Sequence, residues 1–288
     1  MPFATLISVQ ELAKLQARDD ARLLIVDCRF DLMNPTAGSQ AYQRAHLPGA
    51  HYLHLEHDLS GAVTGRNGRH PLPDRAALAE RLAALGMNGD TQLVAYDDAG
   101  GMYAARLWWL ARWLGHRDVA VLDGGMAAWT AAGLPMTDAA TAVPPRPGNL
   151  RAGTPLVDTV SHQDVRDNLR TRERLVVDAR APDRFRGENE TIDPVGGHIP
   201  GARNRLFRDN LDATGRFRAP DELRDAYTTL LGGRRPDQMI NQCGSGVTAC
   251  HNLLAMEIAG LAGAALYPGS WSEWCVQDGA PVATGHAE

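Results

Sequence analysis

Lysine is almost missing from this chain. Of its 29 basic residues, all but Lys14 are arginine. A nucleotide-hydrolase phosphate loop needs Gly-Lys-Ser/Thr, and the sequence contains none. A Schiff-base enzyme would have to use Lys14, which reads as part of an N-terminal surface helix, so aldolase and pyridoxal chemistry fall away. Any bound anion must be held by arginine or by backbone amides. Cysteine is scarce too: four in 288 residues make no disulfide scaffold, and a reduced, cytoplasmic setting is expected. No stretch approaches the ~20 apolar residues of a membrane span. Met1-Pro2-Phe3-Ala4-Thr5-Leu6 lacks the basic region and apolar core of a secretory signal. A positive excess is also lacking. The net charge of −5 argues against nucleic acid or an anionic membrane as partner.

What is present is an ordinary globular composition, 44% hydrophobic and 22% charged, in a length that suits two domains. The chain is written twice. Leu23-Leu24-Ile25-Val26-Asp27-Cys28-Arg29 recurs as Leu175-Val176-Val177-Asp178-Ala179-Arg180, and His46-Leu47-Pro48-Gly49-Ala50 as His198-Ile199-Pro200-Gly201-Ala202. Thr64-Gly65-Arg66 returns as Thr214-Gly215-Arg216, Pro73-Asp74 as Pro220-Asp221, and the segment ending in Trp129 as the one ending in Trp274. Five ordered matches imply a duplicated domain. The expected division is an N-terminal domain over 1–138, an exposed, proline-bearing linker over 139–155, and a C-terminal domain over 156–288.

Each half alternates strand and helix signals. Ser8-Val9-Gln10-Glu11 is a capping box, Leu23 to Val26 a short buried strand, Ala76 to Leu85 a helix closed by Gly86. Strands at Leu93–Tyr96 and Val119–Leu122 flank an apolar helix over Tyr103–Leu114. The second half repeats this with a cap at Ser161, strands at Leu175–Val177, Met239–Asn241 and Ala264–Tyr267, and helices at Leu223–Leu231 and Thr248–Ala259. The pattern predicts α/β domains, each with a mainly parallel sheet flanked by helices. Ligands of such sheets bind beyond the carboxyl ends of the strands.

The copies differ where chemistry would sit. Tyr96-Asp97-Asp98-Ala99-Gly100-Gly101-Met102-Tyr103 aligns without a gap on Asn241-Gln242-Cys243-Gly244-Ser245-Gly246-Val247-Thr248. Cys243 falls where the first copy has Asp98, so the first domain is expected to be non-catalytic. Cys243 follows a strand, sits in a turn with two glycines and leads into a helix. Glycines let successive N–H groups converge on an anion, and the helix adds its unpaired first amides and positive dipole end. Such surroundings favour a thiolate. Ser245 and Thr248 add hydroxyls. Cys28, Cys250 and Cys275 read as buried space-fillers. A phosphatase would need arginine six residues after the cysteine, where this chain has Ala249. No Cys-x-x-Cys pair suggests zinc, and no metal is expected.

These residues resemble the tandem-domain rhodaneses, the thiosulfate and mercaptopyruvate sulfurtransferases, over about residues 5 to 283. Val26-Asp27, Val177-Asp178-Ala179-Arg180, both His-x-Pro-Gly-Ala segments, the Cys243–Ala249 loop, Trp108-Trp109 and Gly269-Ser270-Trp271-Ser272-Glu273-Trp274 carry the resemblance. It implies two tandem rhodanese-like domains, only the second catalytic, and a ping-pong sulfur transfer. Cys243 would take sulfur from a small-molecule donor as a persulfide, held by six loop amides. The sulfur then passes to cyanide, a small thiol or a thioredoxin-type protein. No cofactor is implied.

The resemblance also bears on the donor. Mercaptopyruvate enzymes share the Cys-Gly-Ser-Gly-Val-Thr loop, whereas thiosulfate enzymes have Arg-Lys in place of Gly244-Ser245. Mercaptopyruvate is thus the expected donor and thiosulfate with cyanide the alternative. A non-catalytic binding module is the alternative of another class. Expected substrate-binding residues are Arg184, Gly244, Ser245, Gly246, Val247 and Thr248. A second anion-binding arginine would fall nine residues after Arg184, where this chain has Asp193; Arg186, Arg203 and Arg205 are the substitutes in view. Asp178 and Arg180 are expected to form a structural ion pair, and His46 and His198 to brace their turns. Phe30 and Tyr103 are cleft-lining or core aromatics, and Trp108, Trp109, Trp113 and Trp129 are core.

Overall fold

A computed structural model describes residues 2–18, 20 and 22–286. The chain divides into two compact units, and neither is continuous in sequence. The first comprises 1–61, 73–156 and 213–216; the second comprises 62–72, 157–212 and 217–288. The two short exchanged pieces contain the two Thr-Gly-Arg copies. Arg69 and His70, encoded in the first repeat, therefore belong to the second unit.

In the first unit the elements run β1 (Leu6–Ile7), α1 (Val9–Gln16), β2 (Leu23–Asp27), α2 (Ala37–Arg44), β3 (Ala50–Tyr52), α3 (Arg75–Ala84), β4 (Gln92–Tyr96), α4 (Ala104–Trp113), β5 (Val119–Leu122) and α5 (Gly125–Ala131). The sheet order is β1-β5-β4-β2-β3 and every pairing is parallel. β4 is buried along its whole length and β2 from Leu24 onward, as unbroken apolar runs require in a sheet covered on both faces. The predicted Ser8 capping box closes on Glu11.

The second unit repeats the plan: β6 (Asp158–Thr159), α6 (His162–Thr171), β7 (Leu175–Asp178), α7 (Pro182–Arg186), β8 (Arg203–Asn204), α8 (Pro220–Leu231), β9 (Met239–Gln242), α9 (Thr248–Ile258), β10 (Ala265–Leu266) and α10 (Ser270–Trp274). Its order, β6-β10-β9-β7-β8, is the same and again all parallel. Trp271, Trp274, Phe185 and Tyr267 fill one side of this sheet. No helix among the described residues is long and apolar enough to cross a membrane.

The proline-bearing stretch is less free than its composition suggests. From Gly148 onward it is pinned to the first unit: Gly148, Leu150 and Gly153 donate to the carbonyls of Ala83, Met87 and Leu114. Leu150 is buried.

Each unit carries the same buried ion pair at the end of the strand beside its central one, β2 in the first unit and β7 in the second. Arg29 Nη2 lies 2.6 Å from Asp27 Oδ2 and also donates to the carbonyl of Ala45. Arg180 Nη2 lies 2.6 Å from Asp178 Oδ2 and donates to the carbonyl of Gly197. These arginines tie the strand end to the segment ahead of each His-x-Pro-Gly-Ala motif. His46 and His198 act beside them: each Nδ1 reaches a carbonyl, of Tyr42 at 2.7 Å and Phe185 at 2.8 Å, and each ring stacks on that same residue. Both histidines brace backbone, as expected. Phe30 and Tyr103 pack edge-to-face in the first unit and are buried. Trp108, Trp109 and Trp129 are core, but Trp113 is only partly buried and lies under the guanidinium of Arg75.

The loop between β4 and α4 is closed by its own residue. The buried Asp97 carboxylate accepts the N–H groups of Ala99, Gly101, Tyr103 and Ala104 at 2.8–2.9 Å. Burial pushes the Asp97 carboxyl above its ordinary range, and the four amides pull against that shift. Replacing Asp97 by alanine strands four amides at once. We expect a loss of about 3–5 kcal/mol, the range for a buried charge-assisted network broken on one side, measured by urea denaturation. A loss under about 1 kcal/mol would show that water satisfies these amides equally well.

Candidate active site

The corresponding loop of the second unit joins β9 to α9 and has a different occupant. Gln242 stands where Asp97 stands and Cys243 where Asp98 stands. The side chain of Gln242 is neutral, and neither its Oε1 nor its Nε2 finds a partner. The amides of Gly244, Ser245, Val247, Thr248 and Ala249 donate to no protein acceptor among the described residues. α9 has no side-chain cap either. The first unit thus satisfies this nest internally with a carboxylate. The second leaves the counterparts of three of those amides, at Gly244, Thr248 and Ala249, without a protein acceptor beside a cysteine.

Cys243 is held in place by its backbone. Its N–H donates to Ser270 Oγ at 3.1 Å, and Ser270 Oγ donates to the carbonyl of Tyr267 at 2.9 Å. The Cys243 amide is therefore spent on positioning its own residue. Ser270 adopts φ +54°, a left-handed conformation uncommon for serine; Gly125, its counterpart in the first unit, has the same φ. The hydroxyl that anchors Cys243 compensates for that strain. The carbonyls of Cys243 and Gly244 accept from Trp271 and Ser272, so α10 grips the loop from the other side. Gly246, at φ +76°, leaves no room for a Cβ against the Pro268 carbonyl. Cys243 is 2% exposed, in a loop lined by amides and hydroxyls rather than in the apolar cluster of the second unit.

The other cysteines differ from it. Cys28 is buried after β2, and burial drives its thiol far up, away from the thiolate. Cys250 is buried with Sγ 3.2 Å from the Gly246 carbonyl. Cys275 is only partly buried, contrary to expectation, and burial together with the nearby Asp193 charge pushes its thiol up to about 11.

Charged groups gather beside Gly244. Arg184, on α7, reaches Glu190 through Nε at 3.0 Å and Nη2 at 2.8 Å, and Asp193 through Nη2 at 3.1 Å. Burial opposes the charge of Glu190, but Arg184 and the amides of Asp193 and Ile192 outweigh it and hold the carboxyl below its ordinary range. Asp193 turns its other oxygen to Arg69 Nη1, at 2.6 Å. Arg180 completes the cluster, 3.4 Å from Glu190 and stacked on Trp271. Three guanidinium groups meet Asp178, Glu190 and Asp193, so the cluster carries no net charge.

Arg186, Arg203 and Arg205 do not serve here. Arg186 pairs with Glu188, Arg203 donates to the Leu230 carbonyl, and Arg205 reaches Asn210 over the Tyr227 ring. Two residues at the site escaped the sequence reading. His70 Nδ1 lies 2.7 Å from Ser245 Oγ, and Arg69 lies beside Gly244. Their segment is seated by Gly68, at φ +83°, where a Cβ would run into the Gly269 carbonyl; nothing in the sequence marks this contact.

Comparison with known proteins agrees with this architecture. The rhodanese-like domain model matches twice, at residues 8–132 and 161–277. A Pseudomonas aeruginosa protein named a probable 3-mercaptopyruvate sulfurtransferase is 48% identical over 99% of this chain and 100% of its own. The thiosulfate sulfurtransferase of Mus musculus is 33% identical over 94% of this chain and 92% of its own. The solved 3-mercaptopyruvate sulfurtransferase from Leishmania major superposes with a TM-score of 0.82 at 32% identity, covering 94% of this chain and 74% of that one. Two parallel sheets in tandem and relatives aligned end to end place the chain in the rhodanese family, as a tandem-domain sulfurtransferase and not a binding module alone.

Proposed function

We propose that this enzyme moves sulfur from 3-mercaptopyruvate to a thiophilic acceptor through a persulfide on Cys243. The observation that carries this is the contrast between the two loops. Where the first unit spends the amides of Ala99, Tyr103 and Ala104 on Asp97, the second keeps their counterparts at Gly244, Thr248 and Ala249 uncommitted next to a nucleophile. An array of fixed N–H donors stabilises negative charge on sulfur without reorganising during the reaction.

The Cys243 thiolate attacks the donor sulfur. An S–S bond forms and the donor C–S bond breaks, its electron pair leaving on carbon as the enolate of pyruvate, which takes up a proton to give pyruvate. Ser245, hydrogen-bonded to His70, is a hydroxyl–imidazole pair able to pass that proton near the loop. Cys243 then carries the extra sulfur as a persulfide. An acceptor thiolate or cyanide attacks the outer sulfur, the S–S bond breaks, and the Cys243 thiolate returns. This is nucleophilic catalysis in two half-reactions.

Mercaptopyruvate is favoured over thiosulfate by charge. Gly244 and Ser245 bring no cation to the loop, and the neighbouring arginines are balanced by carboxylates. A dianion gains little from a cluster of no net charge, whereas a monoanionic carboxylate is served by directed N–H donors. Arg184 keeps Nη1 free of any protein acceptor and supplies one such donor. The remaining loop residues, Gly244 to Thr248, cradle the sulfur. The acceptor class is a small thiol, cyanide or a thioredoxin-type protein. A cytoplasmic setting suits a nucleophile that must stay reduced.

Two outcomes follow. Incubation with mercaptopyruvate without acceptor is expected to add one sulfur to the intact mass, and Cys243→Ser to abolish the gain; a gain that survives in Cys243→Ser would place the nucleophile elsewhere. Arg184→Ala is expected to raise the mercaptopyruvate KM by about tenfold to a hundredfold, the worth of a charged hydrogen bond, with kcat less affected. An unchanged KM would remove Arg184 from donor binding.

A further inference from the structure

We infer that Arg69 is the second donor-binding arginine of this site and that Asp193, standing where such an arginine is otherwise expected, is the residue that aims it. This rests on the proposed reading of the Cys243 site.

The segment carrying Arg69 is locked to the loop. Arg69 N–H donates to Ser272 Oγ at 3.0 Å, while Ser272 N–H donates to the Gly244 carbonyl at 2.9 Å, so one residue fixes both. Gly68 packs on Gly269, and Gln277 Nε2 reaches the Arg66 carbonyl at 2.7 Å. The guanidinium is therefore held against the loop.

Its donors are only partly used. Nη1 pairs with Asp193, whereas Nε is buried and meets no acceptor. Nη2 lies 3.1 Å from the position a Cβ on Gly244 would take, and Arg184 Nη1 lies 3.8 Å from that same point. Gly244 is thus bare where two guanidinium groups converge beside Cys243. Asp193 faces both, Oδ1 to Arg69 and Oδ2 to Arg184, and sets the pair side by side as two N–H forks on one edge of the loop. A structural ion pair would use up its donors. This one leaves a buried N–H without a protein acceptor, and what sets it apart is its place, with Nη2 of the same guanidinium at the bare face of Gly244 beside Cys243. An α-keto carboxylate, with three acceptor oxygens on adjacent carbons, matches donors arriving from two sides.

The test is steady-state kinetics with mercaptopyruvate and with thiosulfate for the full-length enzyme. Arg69→Ala is expected to raise the mercaptopyruvate KM at least about tenfold with kcat nearly constant, as for loss of uniform binding. Arg69→Asp combined with Asp193→Arg returns a guanidinium to the same edge and is expected to recover most of that loss. Thermal midpoints accompany each variant, and Arg69→Gln replaces the alanine variant if the latter does not fold. An Arg69→Ala enzyme with KM unchanged for either donor, or a swapped enzyme no better than Arg69→Ala, overturns the assignment. If the native enzyme accepts sulfur from thiosulfate alone, the mercaptopyruvate reading fails by itself, and Arg69 is judged on the thiosulfate KM.

Discussion

A strand that runs straight into a helix leaves the first amides of that helix without carbonyl partners, and buried amides must bond to something. In this chain the same turn is built twice and the demand is met in two ways. Asp97 folds back and takes four amides in the first unit. In the second unit the position belongs to Gln242, which takes none, and the next residue is Cys243. One copy has turned the constraint into internal stability. The other leaves amides of the turn without a protein acceptor beside Cys243, where the proposed persulfide would place its negative charge. On the proposed reading, opposite choices at two adjacent positions of the two copies separate scaffold from chemistry.

Around that turn the rest of the unit fixes position. The buried Asp178–Arg180 pair secures the neighbouring strand end, as Asp27–Arg29 does in the first unit. Such pairs bring little net stability, because desolvation opposes their attraction, but breaking one is costly. Their recurrence fits a role in geometry: each arginine also reaches a distant carbonyl and fixes a loop. In the second unit this layer extends through Glu190 to Arg184 and through Asp193 to Arg69. Ser270 accepts a left-handed backbone to hold the Cys243 amide. Strain of this kind persists where the surroundings over-determine it.

The sequence made the repeat, the parallel sheets and the loop legible, because continuous apolar strands and a glycine-rich strand-to-helix turn are local signals. The caps at Ser8 and Ser161 were visible for the same reason, and both form. The two-residue strands β1, β6 and β8 were not visible; they are too short to show a period and exist only through their neighbours. Residue types showed which arginines could serve but not where they point. Arg186, Arg203 and Arg205 lie close in sequence to Arg184 yet bond elsewhere, whereas Arg69 lies 115 positions away from it and arrives through a segment that packs with the second unit. Asp193 read as the loss of an arginine; in three dimensions it is the acceptor that holds another one. Ser270 carried no signal either, since nothing local distinguishes a serine at positive φ.

The central claim is that uncommitted amides around Cys243 are what make this copy reactive. It is tested most directly by giving the second loop the carboxylate of the first. Gln242→Asp is expected to fold, to let the introduced carboxylate take up the amides, and to lose sulfur uptake at an intact Cys243, while Gln242→Asn retains most of it. Mass spectrometry of the persulfide after a single exposure to mercaptopyruvate reads both. A Gln242→Asp enzyme that takes up sulfur as fast as the native one would contradict the account.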